Sequence, residues 1–273
     1  MHPRKLCRFS GLLMCLVGSQ ASAADFTMSF GNTSAQVNIT NANAGVVDWS
    51  VNGVNTLNKQ SFFYRIGGVG PESLVQSISS SPTVSFTQVP NVLSTLDVTY
   101  ANASYSVRTL FQLKGGTSPN LSETITVKNL SASPLDFHLF QYSDFNLSGL
   151  SGGQAAQYFF DALGQPYKVT QTGALQSVTE TVNANTAPIG HFEAGLGNAT
   201  WASLTDGSAT TLNDNASAGP GDATFAYQWD ALLSPNGTIT ISKLMTIVPE
   251  PTISSLVLAA LAAAKFARRG KKS

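Results

Sequence analysis

Cysteine is nearly missing from this chain of 273 residues, and the two present, Cys7 and Cys15, both lie close to the start. With that leader set aside, no disulfide can form, so the folded part draws its stability from a large core. No cysteine metal cluster is possible there either. Basic residues are scarce too. Between residues 24 and 248 there are 14 acidic and 7 basic side chains, a net charge of −7, although the whole chain sums to zero. Such an acidic domain has no electrostatic footprint for nucleic acid, and that partner is excluded. Lys and Glu are thinly spread through the middle, which is rich in Ser, Thr, Asn, Gly and Ala, a composition that favours strands and turns over helices. No stretch of ten or more residues with helical period appears before residue 248. Gly-rich phosphate loops and G-x-S-x-G elbows are lacking, and no cofactor is expected.

The positive charge sits at the two ends. Arg4, Lys5 and Arg8 precede an apolar run at residues 11–17, and Ala21-Ser22-Ala23 follows. A basic start, a short apolar core and small residues at a cut site predict a secretory signal peptide over residues 1–23, cleaved between Ala23 and Ala24. The apolar run is far below the ~20 residues a membrane span needs. Lipidation at Cys15 is disfavoured because the residue before it is Met14, which is not small.

The other end, residues 248–273, has three parts. Pro249-Glu250-Pro251 stops the preceding strand. An uncharged, Ala- and Leu-rich run at residues 252–264 predicts a short transmembrane helix. Lys265, Arg268, Arg269, Lys271 and Lys272 then form a basic end, which by the positive-inside rule stays cytoplasmic and leaves the folded domain outside. This arrangement resembles the PEP-CTERM sorting signal of Gram-negative bacteria, carried here by Pro249, Glu250, Pro251, Arg268 and Arg269. The basic end departs from the usual arginine run, being broken by Ala267 and Gly270. The resemblance implies export, recognition by exosortase, an inner-membrane intermediate, and a final place at the cell surface or in the extracellular matrix, with exopolysaccharide and biofilm as the associated system. It says nothing about the chemistry of the domain.

Between the ends, apolar residues recur with period two. Phe26, Met28 and Phe30 alternate with polar residues. So do Tyr105, Val107, Thr109, Phe111 and Leu113, then Ile125 and Val127, then Ile239 and Ile241. Successive strand side chains point to opposite faces, so each run has one apolar face and one wet face. Asn52-Gly53 is a tight-hairpin signature, and Lys114-Gly115-Gly116-Thr117-Ser118-Pro119 and Pro235-Asn236-Gly237 are further turns. These signals predict an all-β fold, a single β-sandwich-type domain over residues 24–247. Residues 213–222 read as a surface loop.

Three sets of residues are candidates for chemistry. Asp136-Phe137-His138 and His191-Phe192-Glu193 each place a carboxylate two residues from an imidazole, on one face of a strand. If the two strands are neighbours, the cluster suits acid–base work or a metal; the other reading is two local ion pairs. Two histidines with a glutamate are similar to sugar mutarotases, which are built on a large β-sandwich. Asp144, Asn146 and Ser148, followed by Gly149, match the first half of a calcium loop, but Ala155 stands at the twelfth position, which excludes an EF-hand. Trp49, Tyr64, Trp201 and Trp229 are candidates for sugar stacking or for core. Phe62-Phe63-Tyr64-Arg65-Ile66-Gly67, Phe140-Gln141-Tyr142-Ser143-Asp144-Phe145 and Gln228-Trp229-Asp230 resemble ectodomains of no known activity that carry such tails. The function expected is therefore a non-enzymatic surface or matrix protein, the alternative being a carbohydrate-binding or mutarotase-like carbohydrate-active sandwich.

Overall fold

A computed structural model describes residues 25–40, 45–183 and 187–249. The Ala23/Ala24 cleavage site, Glu250, Pro251, the apolar tail and the basic end with Arg268 and Arg269 lie outside the described residues. Within them, no helix is long and apolar enough to cross a membrane.

The chain begins with β1 (Asp25–Phe30), β2 (Thr33–Asn38), β3 (Gly45–Val51), β4 (Val54–Asn55), β5 (Leu57–Ile66) and β6 (Ser73–Leu74). It continues with β7 (Thr83–Val89), β8 (Leu93–Ala101), β9 (Tyr105–Lys114), β10 (Asn120–Asn129) and β11 (Leu135–Phe145). Then come β12 (Gln154–Phe160), β13 (Pro166–Thr172), β14 (Gln176–Val182), β15 (His191–Leu196) and a helix, α1 (Ala199–Thr205). β16 (Ser217–Gly221), β17 (Ala223–Leu233) and β18 (Thr238–Pro249) complete it.

Two antiparallel nine-stranded sheets form the sandwich. The first runs β1-β2-β3-β5-β11-β17-β15, with β4 beside β3 and β6 beside β5. The second runs β16-β12-β13-β14-β18-β10-β9-β8-β7. The expected alternation is present. In β9, Val107, Thr109, Phe111 and Leu113 are buried, while Arg108, Gln112 and Lys114 are exposed. Asn52 and Gly53 turn the β3–β4 hairpin with φ of +53° and +80°, the left-handed values a tight two-residue turn needs.

One sequence expectation needs correction. Residues 213–222 are not all loop: Ser217–Gly221 is an edge strand paired with β12. A helix does occur before residue 248, but α1 has only seven residues, short of the ten for which a helical period was sought. Two turns are too few to show a 3.6-residue period against a strand-rich background.

The main core fills the space between the sheets and holds Trp49, Phe137, Phe145, Phe225, Tyr227 and Trp229. A polar cluster shares that interior. The Lys243 ammonium meets Glu123 and, at 3.2 Å, Glu180, and Gln141 Nε2 donates to both oxygens of Glu180 at 2.9 and 3.0 Å. β11 is unusual because residues 139–145 are all buried. Its odd-numbered residues face the main core. On the opposite face, Phe140 and Tyr142 join Phe63 and Ala226 in a second apolar cluster, closed from outside by Leu204 and Leu212.

Candidate functional site

Register places the candidate residues on that outer face of the first sheet. His138 on β11 stands opposite Arg65 on β5 and Asp230 on β17. One row along, Phe63, Phe140, Gln228 and His191 lie abreast on β5, β11, β17 and β15. The next row is Ser61, Tyr142, Ala226 and Glu193. β11 and β15 are not neighbours, since β17 lies between them. The two histidines nevertheless share a face, because antiparallel partners project to the same side. Two strand spacings separate β11 from β15 by roughly 10 Å.

His138 sits between two carboxylates. Its Nδ1 is 2.5 Å from Asp230 Oδ1, and its Nε2 is 3.4 Å from Asp136 Oδ1. Gln228 Nε2 donates to the same Asp230 oxygen at 2.8 Å, which fixes that carboxylate. The His138 side chain is 13% exposed, Asp230 32% and Asp136 48%. A half-buried imidazole oriented by one carboxylate, with a wetter carboxylate at its other nitrogen, is equipped to move a proton.

His191 and Glu193 are engaged differently. His191 Nδ1 is 3.0 Å from Asp214 Oδ2, and Asp214 Oδ1 accepts from the Phe192 amide at 3.2 Å. Glu193 accepts from the Thr200 hydroxyl at 2.6 Å and from the Asn213 amide at 3.4 Å. Both thus bind the segment around α1. Arg65 does the same from β5: it pairs with buried Glu72, and its Nη1 donates to the Thr210 carbonyl at 2.6 Å.

The calcium candidates lie at the end of β11. Asp144 is buried and accepts from Asn58 Nδ2 at 2.7 Å, and burial pushes its carboxyl above the usual range, helped by Asp222 and opposed by Asn58 and Lys59. Asn146 and Ser148 belong to a tight turn in which the Ser148 amide donates to Gln176 Oε1 at 2.9 Å. Among the described residues, no three His, Cys, Asp or Glu side chains are grouped to hold a metal.

Of the aromatic candidates, Trp49 and Trp229 are core. Tyr64 is half-buried and stacks on Phe137 at 5.9 Å. Trp201 lies over the outer face, 5.3 Å from Phe63 and 5.4 Å from Tyr142, with Lys59 Nζ 4.1 Å above its ring. Away from this face, a groove of about 790 Å³ opens between Phe160, Tyr167, Thr181 and Leu244; it contains no histidine.

Sequence reasoning did not single out Asp230, Asp214 and Gln228 as site residues. Asp230 is 92 positions from His138. Only strand pairing selects its partner.

No protein-family model matches the chain, and no curated protein matches it in sequence. Solved structures do match in shape. An aldose 1-epimerase candidate from Escherichia coli K12 superposes with a TM-score of 0.53 at 10% identity, covering 83% of this chain and 99% of that one. A galactose mutarotase-like protein from Lactobacillus casei gives 0.50 at 9% identity, covering 82% and 100%. A bacterial glucoamylase, solved with acarbose, gives 0.56 at 9% identity and covers 92% of this chain; the chain spans 37% of that enzyme. At such identities the likeness establishes the fold. It also corrects the expectation of a non-enzymatic surface protein: the two-sheet architecture is that of structures named for sugar epimerisation, so the carbohydrate-active alternative is the reading the findings favour.

Proposed function

We propose that the domain binds a reducing sugar and interconverts its anomers, with His138 as the proton-carrying group. One observation carries this reading: in a mutarotase-like fold, His138 lies between Asp230 and Asp136 on the outer face of the first sheet. Ring opening removes the proton from the anomeric hydroxyl and delivers one to the ring oxygen as the C1–O5 bond breaks. Rotation about C1–C2 and reclosure reverse both transfers, so no net proton is consumed. An imidazole relays such protons near neutral pH. Asp230 and Gln228 hold the ring, and Asp136, the more exposed carboxylate, lies 3.4 Å from its other nitrogen.

The test is anomer exchange of D-galactose and D-glucose, followed by NMR on the full-length chain. Catalysis above the buffer rate is expected, with a loss of about 100-fold in His138→Asn, the lower end of what one acid–base group contributes. No acceleration and no binding of either sugar would reject the reading.

The chain is also proposed to be exported and sorted through its tail. The support is the Ala21-Ser22-Ala23 leader end and the Pro249-Glu250-Pro251 motif, followed by the apolar run and basic cluster. Its partners in this reading are exosortase and the inner membrane, with the domain facing outward. Fractionation tests it: full-length protein retained in the inner membrane of both wild-type and exosortase-deleted cells would refute sorting.

A further inference from the structure

The outer face carrying His138 is not open. Residues 197–214 cross it and bury an aromatic floor. Phe63, Phe140 and Tyr142 are 0–1% exposed, although their strands turn these side chains away from the main core. What closes them is Leu204 and Leu212, with Trp201 packed alongside. Removed from this contact, the floor would be a patch of three aromatic rings with Arg65, His138, Gln228 and Glu193 at its margins. Aromatic faces bordered by a few charged and amide groups are the composition of a sugar site.

Besides the apolar contacts of Leu204, Leu212 and Trp201, the segment is held down by single hydrogen bonds to side chains around the floor. The Thr210 amide donates to Glu72 at 2.8 Å, the Leu212 amide to Gln228 at 3.0 Å, and Thr200 and Asn213 to Glu193. His191 holds Asp214. The segment's own helix has seven residues and no side-chain N-cap bond, so it adds little stability by itself. Its two ends carry left-handed residues, Gly197 at φ +58° and Asp214 at φ +60°.

We propose that residues 197–214 are a cap closed over a saccharide subsite, and that a sugar reaches the floor beside His138 only when the cap lifts. The charged and amide groups of the rim then have two alternative sets of partners, the cap backbone or sugar hydroxyls. The inference rests on the carbohydrate reading above and adds to it a closed state and the place where the ring stacks. Phe140 is two residues from His138 on the same face of β11, so a pyranose lying on its ring has its reacting carbon within reach of the imidazole.

Hydrogen exchange of the full-length chain tests the cap, with D-galactose as the probe. The amides of Thr210, Leu212 and Asn213 should exchange by local opening, at least tenfold faster than the β11 and β17 ladder. Saturating galactose should speed them further by holding the cap open. Leu204→Ala, and independently Thr200→Val, should each raise cap exchange and anomer turnover at least threefold, leaving ladder exchange unchanged. Cap amides that exchange only with global unfolding, in the wild type and both variants, overturn the cap even if anomer exchange is catalysed. Local cap opening with no turnover and no response to either sugar supports the moving cap and refutes the sugar reading instead.

Discussion

Lys243 places a charge where a sandwich normally has hydrocarbon. Its ammonium lies between Glu123 and Glu180, and all three side chains are essentially inaccessible. Burial raises the Glu123 carboxyl to about 7; the nearby Lys243 charge opposes this and Glu180 adds to it. The folded protein therefore keeps a proton that the unfolded chain releases near pH 4.5. The contribution of Glu123 to stability is complete below that value and is lost as pH rises through about 7. Urea midpoints at pH 5 and pH 8 should fall in that order, and Glu123→Gln should flatten the slope between them. Lys243→Met should cost roughly 3–5 kcal/mol, because it leaves two carboxylates without their cation; thermal unfolding reads this directly. His138 is the contrasting residue. Its carboxylate neighbours lie at a surface, so Asp230→Asn should leave the melting temperature within a few degrees of wild type while lowering sugar turnover.

Strands differ in how much of their environment can be read locally. β9 faces solvent on one side, so its alternation reports its burial directly. β11 does not. Gln141 and Ser143 are polar, yet they are wholly buried, Gln141 against Glu180 in the second sheet. Their partners come from strands far along the chain, and no local period announces them. α1 was illegible for a related reason: seven residues owe their helix to the face beneath, through Leu204 and Thr200, rather than to propensity. Backbone proximity was hidden as well. At Gly45, with φ +129°, a Cβ would come 1.9 Å from the Gln60 carbonyl where β3 meets β5. Gly45→Ala should destabilise by roughly 2–4 kcal/mol, combining a disfavoured φ with a backbone clash, measurable as a lower urea midpoint with an unchanged slope.

At the scale of the molecule, the sheets interleave distant parts of the chain. β5, β11, β17 and β15 stand side by side, and β18 lies between β14 and β10. Such non-local pairing must close long loops before it gains contacts, so refolding should take milliseconds to seconds rather than microseconds. Stopped-flow fluorescence of Trp49, Trp201 and Trp229 would follow it, and a microsecond phase accounting for the full amplitude would contradict this expectation. The cysteine-free interior explains why so large a sandwich is built: without crosslinks, buried area is the main source of stability.

By itself the sequence determined what is local: two-residue periodicity, the Asn52-Gly53 turn, the acidic cysteine-free composition, and the carboxylate–imidazole spacing within Asp136-Phe137-His138. Each depends on neighbours a few residues apart, where backbone geometry alone sets direction. The tertiary structure decided which strands became neighbours. It gave His138 its partner in Asp230, turned His191 and Glu193 toward the α1 segment, and laid that segment over Phe63, Phe140 and Tyr142. Those outcomes depend on sheet order and register, which arise from packing the whole core at once.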